Sequence, residues 1–174
     1  LLRDPSIDAI FFARGGYGAS RVLGRLEGVE VAANPKIHLG GSDLTALFAC
    51  FRSSGLVAFY GPMVAVEIAE QDGLDWEGVL SGERPADHVF AEADVITPGS
   101  GTGVLRGGCL SLMASLCGTP EALGADGSVL FWEAIGEEIY RLDRMLTQLE
   151  RSGTFDRIQA MILGSGVSLD RPEH

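Results

Sequence analysis

Hydrophobic positions along this chain follow two rhythms, short apolar runs and longer stripes of helical period. Ile7-Asp8-Ala9-Ile10-Phe11-Phe12-Ala13 is short, apolar and β-prone, and reads as a buried strand. It runs into Arg14-Gly15-Gly16-Tyr17-Gly18, after which Val22, Leu23 and Leu26 mark a helical segment. Asn34-Pro35 breaks the pattern, and Lys36 to Leu39 predicts a second strand. Gly40-Gly41-Ser42 follows, and Leu44, Leu47, Phe48 and Phe51 then recur at i, i+3, i+4 and i+7, one stripe of an amphipathic helix. That helix stops near Ser53-Ser54-Gly55, and Leu56 to Tyr60 predicts a third strand, ended by Gly61-Pro62. Strands separated by helical patterns argue an α/β fold with a parallel, doubly wound sheet. Ligands bind beyond the carboxyl ends of such strands, where Gly15–Gly18, Ser42 and Gly61 are expected to gather.

From Gly73 to Gly103 the pattern loosens as Asp, Glu, Gly and Pro accumulate. A domain boundary is expected there, near Arg84 to Ala91, dividing residues 1–85 from 86–174. Trp76 in this stretch reads as a packing anchor. Gly107-Gly108 is expected to open a helix with Leu110, Met113, Leu116 and Cys117 on its inner face, ended by Gly118 and Pro120. Ser128 to Trp132 predicts a strand with Glu133 at its carboxyl end. Ile139, Leu142, Leu146 and Leu149 mark a helix closed by Gly153, and Ile158 to Leu163 predicts a last strand.

Composition narrows the class. The 174 residues are 46% hydrophobic and 21% charged with 24 glycines, a globular α/β balance rather than a disordered one. The formal net charge of −11, with one lysine among the basic residues, repels phosphate backbones and argues against nucleic acid as a partner. No apolar run approaches the ~20 residues of a spanning helix, so no membrane partner is expected. Cys50, Cys109 and Cys117 form no C-x-x-C pair and no metal spacing, so no metal or other cofactor is expected. Reduced cysteines suit a cytoplasmic protein. The chain starts at Leu1 without a methionine and stops at His174 just after an apolar run, and reads as a piece of a longer protein.

Two positions carry candidate chemistry. Ser42 falls between a strand and a helix, where a nucleophile elbow would present a hydroxyl beside free helix-start N–H groups. A serine before an apolar helical stripe is also a preferred N-cap, and local pattern alone favours the cap. The usual elbow places a second glycine two residues after the serine, where this chain has Leu44. Glu133 directly follows a buried apolar run, and a carboxylate there needs a partner, a histidine N–H or an arginine. The Gly15–Gly18 turn presents backbone N–H groups but matches neither the dinucleotide nor the P-loop spacing.

Together, Arg-Gly-Gly-Tyr-Gly at 14–18, Gly-x-Ser-Asp-Leu-Thr-Ala-Leu at 40–47, the 107–120 segment and Tyr-Arg-Leu-Asp-Arg-Met-Leu-x-Gln-Leu at 140–149 resemble the LD-carboxypeptidase family of serine peptidases. The resemblance implies an α/β N-terminal domain with a smaller mixed α/β C-terminal domain and the site between them. It implies Ser42 as nucleophile and Glu133 as the acid that orients a histidine. That histidine would stand downstream in a glycine-rich segment this chain does not reach, since His38, His88 and His174 do not match it. Backbone N–H groups of Asp43 and Gly16 would form the oxyanion hole, and Arg14, Tyr17, Gly41 and Tyr60 would meet substrate. The chain departs from the family at Gly41, usually aromatic, at Tyr60, often histidine, at Cys109, often asparagine, and at Ala134, usually acidic. These departures put pocket shape, and so substrate choice, in play.

The function implied is serine carboxypeptidase action on the bond between an L-residue and D-alanine in a murein tetrapeptide, with a muropeptide as partner and a homodimer left open. Within the class, the alternative is a microcin-immunity-like hydrolase of acyl-nucleotide conjugates. From another class, the alternative is a non-catalytic α/β ligand-binding protein.

Overall fold

A computed structural model describes residues 1–26, 28–66, 68, 76–83 and 95–164. The chain builds two three-stranded sheets, each parallel and each in sequential order. The first holds β1 (Ala9–Phe11), β2 (Ile37–Gly40) and β3 (Phe59–Tyr60). The second holds β4 (Val104–Cys109), β5 (Ser128–Glu133) and β6 (Ala160–Leu163). Parallel neighbours require crossovers, and helices supply them. In the first half these include α1 (Gly28–Ala33) and α2 (Thr45–Ser53). In the second half they are α4 (Leu110–Ser115) and α5 (Ile139–Arg151), with α3 (Trp76–Ser81) lying between the sheets in sequence.

Each half has its own apolar core. The first is centred on α2, with Leu44, Leu47, Cys50 and Phe51 buried around Leu23 and Val31. Leu116, from the end of the α4 region, joins this core and ties the halves together. The second gathers Leu110, Met113, Leu130, Trp132 and Leu149. Burying side chains of this size removes water from each by roughly 1.5–3 kcal/mol, which makes the two clusters the main source of stability.

Four expectations from the sequence are corrected. The first strand covers only Ala9–Phe11 and is not buried: among the described residues it pairs with β2 only, and Phe11 is 44% exposed. The third strand shortens to Phe59–Tyr60. Val22 and Leu23 lie in a 3-10 turn, Ala19–Arg25, and α1 follows as a separate helix. Gly107 and Gly108 do not open a helix but lie inside β4, in register with Phe131 and Trp132. A Cβ on Gly107 would stand 1.6 Å from the Phe131 carbonyl oxygen, so glycine is required by the close approach of β4 to β5. The boundary expected near Arg84 to Ala91 and the side chain of Trp76 lie outside the described residues, as do His88 and His174.

Candidate active site

The chain between β2 and α2 turns sharply at Gly41-Ser42. Ser42 has φ +57°, the one non-glycine positive φ among the described residues. Such a left-handed conformation costs a serine roughly 1–2 kcal/mol, so its surroundings must hold it. They do. The Ser42 N–H donates to the Tyr60 hydroxyl at 2.8 Å, and the Ser42 carbonyl accepts from Thr45 Oγ1 at 2.7 Å. Thr45 Oγ1 in turn accepts the Cys109 N–H at 2.9 Å, so the second sheet braces the turn from outside. Ser42 does not take the N-cap position: the caps of the 3-10 turn Ser42–Leu44 and of α2 are Gly41 and Leu44.

Glycines around the turn make room for it. A Cβ on Gly15 would lie 2.9 Å from Ser42 Cβ and 3.2 Å from its Oγ, so the Gly15–Gly18 loop passes directly over the serine. Asp43 secures that loop. Asp43 is only 7% exposed, and its carboxylate accepts the Ala19 N–H at 2.8 Å, satisfying a helix-start donor from a distant segment. The Asp43 N–H itself lies at the start of the turn after Ser42, where helical N–H groups have no partner within the helix. The position a Gly15 Cβ would take is 3.5 Å from this nitrogen, which places the loop and the helix start on either side of Ser42.

Glu133 ends β5 directly opposite Cys109 of β4. Among the described residues its hydrogen-bond partner is Tyr60, whose hydroxyl donates to Glu133 Oε1 at 2.6 Å. The Tyr60 ring is seated between Phe131, at 5.6 Å between centroids, and the edge of Phe48, at 6.4 Å. Burial, reinforced by the Glu133 carboxylate, pushes the Tyr60 hydroxyl far above the ordinary tyrosine range, so it stays protonated.

Ser42 and Glu133 share one small pocket of about 150 Å³ with Gly16, Cys109, Ser111 and Glu137. A larger cleft of about 1990 Å³ runs between the sheets, lined by Phe48, Phe59, Phe131 and Ile162, but neither Ser42 nor Glu133 lines it. Of the other expected residues, Gly41 underlies the turn, with Tyr60 Cζ 3.6 Å from where its Cβ would be. Arg14 and Tyr17 stand outside the pocket. Tyr17 is 83% exposed, with the Arg21 guanidinium 4.8 Å over its ring. His38 cannot serve this pocket: it is 1% exposed and packs 4.1 Å from Phe51. Burial lowers its pKa, and its Nδ1 has no partner among the described residues. Among the described residues no group of three His, Cys, Asp or Glu could hold a metal ion. No helix among them is long and apolar enough to cross a membrane.

Sequence reasoning missed the Asp43 side chain, Thr45, Ser111 and Glu137. Only Thr45 had a local signal, a hydroxyl three residues after Ser42 at a helix start, where such side chains bond the backbone.

Known proteins resemble this chain in sequence and fold. The LD-carboxypeptidase N-terminal domain matches residues 1–61, and the LD-carboxypeptidase C-terminal domain matches residues 102–173. A Streptomyces coelicolor protein that carries the name of a carboxypeptidase is 42% identical over 93% of this chain and 54% of its own length. The crystal structure of muramoyltetrapeptide carboxypeptidase from Oxalobacter formigenes superposes with a TM-score of 0.80 at 28% identity, over 98% of this chain and 60% of that one. The microcin C7 self-immunity protein in complex with aspartyl sulfamoyl adenosine gives a TM-score of 0.80 at 26% identity, over 98% and 61%. The chain thus spans little more than half the length of these relatives.

Proposed function

The chain belongs to the LD-carboxypeptidase family, and on that premise we propose that it is the part of a serine carboxypeptidase that carries the nucleophile and the triad acid. The substrate class is a murein tetrapeptide, cut between its L-residue and terminal D-alanine. The observation that carries this is the left-handed Ser42 on a strand-to-helix turn, sharing a pocket with Glu133.

In this reaction Ser42 Oγ attacks the peptide carbonyl while a base takes its proton, since an unassisted serine hydroxyl is a weak nucleophile. Glu133 orients that base, a histidine from the remainder of the protein, through the carboxylate oxygen that Tyr60 leaves free. The oxyanion is held by the N–H groups of Asp43 and Gly16, each such donor lowering the barrier by roughly 3–4 kcal/mol. Collapse expels D-alanine, whose nitrogen takes up the proton the base removed from Ser42, and leaves an acyl ester on Ser42, which water then hydrolyses.

The test is release of D-alanine from a muramoyl tetrapeptide by the full-length protein. Ser42→Ala is expected to lower turnover by about 10³-fold or more with the fold intact. Retention of more than a tenth of the activity would remove Ser42 from the nucleophile's role. An acyl sulfamoyl nucleotide assayed alongside separates this substrate class from that of the microcin-type relative, because both use the same attack and differ in the leaving group.

A further inference from the structure

The Tyr60 hydroxyl joins the two halves of the site. It accepts from the Ser42 N–H at 2.8 Å and donates to Glu133 Oε1 at 2.6 Å. With Ser42 as nucleophile and Glu133 as acid, as read above, we propose that Tyr60 is a positioning residue: its hydroxyl locks the Glu133 carboxylate and the Ser42 turn into one fixed geometry and leaves Glu133 a single oxygen for the base.

Three features of its surroundings support the assignment. First, the ring is immobilised by Phe48 and Phe131, so the hydroxyl has a defined position rather than a floppy one. Second, the absence of a side chain at Gly41 lets the ring run beneath the turn, with Cζ and Cε1 3.6 and 3.7 Å from where a Cβ would sit. Third, the hydroxyl's one proton is committed to Glu133, so it cannot also donate to substrate. Because burial keeps it protonated, it is a donor to Glu133 at every working pH and never a competing base. Accepting from Ser42 also removes that N–H from the oxyanion hole, which leaves the task to Asp43 and Gly16.

The consequence is electrostatic as well as geometric. A carboxylate that accepts a tyrosine proton spreads less charge toward its other partner, so it stabilises an imidazolium less. Removing the hydroxyl should therefore raise the pKa of the base.

The experiment compares full-length wild type with Tyr60→Phe, which keeps the ring and deletes the hydroxyl. kcat is expected to fall about 10–100-fold, as when other outer partners of an active group are removed. KM should stay within about twofold, because no ground-state contact is lost. The acidic limb of the kcat/KM profile should move to higher pH. Site-specific 3,5-difluorotyrosine at position 60, a stronger donor that keeps the fold, should move the same limb to lower pH, and decides the matter if Tyr60→Phe does not fold.

A raised KM with unchanged kcat would overturn the proposal in favour of a substrate contact. Loss of thermal stability and activity together, with the pH profile unmoved, would reduce Tyr60 to a tie between the sheets. Ser42→Ala in the same assay separates these results from failure of the underlying assignment: if it stays active, the nucleophile is elsewhere and the role of Tyr60 falls with it.

Discussion

Two strands of this chain finish with a pair of glycines and one further residue at the edge of a helical turn: Gly40-Gly41-Ser42 at the end of β2, and Gly107-Gly108-Cys109 closing β4. The backbone treats the two runs in opposite ways. At the second, the glycines take the positive φ values, 142° and 143°, and Cys109 is extended at φ −66° and ψ 123° before α4 begins. At the first, Gly41 is extended at φ −149° and the strain falls on Ser42 at φ +57°. In one case glycine absorbs the unusual geometry so that β4 can lie tightly on β5 and on Thr45. In the other the chain forces it on a residue with a side chain, and that residue lines the pocket it shares with Glu133. A Gly-Gly step therefore does not by itself mark a site. What separates the two steps is which residue carries the left-handed conformation, and that is the feature on which the proposed site rests.

The largest effect should come from breaking the second turn. Gly107→Ala would place a methyl 1.6 Å from the Phe131 carbonyl oxygen, a backbone atom that cannot move aside. A loss of about 3 kcal/mol or more is expected from overpacking combined with strain, read as a fall in the urea midpoint or as failure to fold. Full stability in this variant would mean that β4 and β5 are not packed as described.

A smaller and opposite effect should follow at the first turn. Ser42→Gly relieves a conformation that costs serine roughly 1–2 kcal/mol, while glycine brings back about 0.5–1 kcal/mol of chain entropy. Net stabilisation of about 0.5–1 kcal/mol is expected, with activity lost. Cys109→Gly, at an ordinary φ, should instead destabilise by about 0.5–1 kcal/mol. Calorimetry of the two variants would blunt the comparison if both moved in the same direction.

The smallest effect concerns the strand beneath the serine. Burial holds His38 below its ordinary value of 6.5, so the folded chain binds a proton there less readily than the unfolded chain does. Stability should thus decline as pH falls below 6.5, by no more than about 1.4 kcal/mol per unit for one proton. His38→Leu should flatten the difference between urea midpoints at about pH 7.5 and about pH 5.5. An unchanged slope would show that other groups set it.

The same comparison explains what could be read from the sequence. The Ser42 turn is legible because its signals are local: a strand, two glycines and a stripe of Leu44, Leu47, Phe48 and Phe51 lie side by side. β4 is hidden because glycines interrupt its apolar run, and glycine in a strand means close approach, which depends on a neighbour 24 residues away in Phe131. β1 looked buried because an apolar run does not say whether a second neighbour exists. Glu133 was recognisable as a carboxylate needing a partner, but nothing near it in sequence names Tyr60. That pairing is a property of the folded chain alone.

Tyr60 and Glu133 are 73 residues apart in the chain, and this has a consequence in time. At a synthesis rate of about 5–20 residues per second, roughly 4–15 s separate the emergence of the tyrosine from that of its carboxylate. During that interval the Ser42 turn has neither the Cys109 brace nor the Glu133 carboxylate linked to it through Tyr60. On the function proposed above, a hydrolase arranged in this way would be latent while it is being made, until both the second sheet and the downstream base are in place.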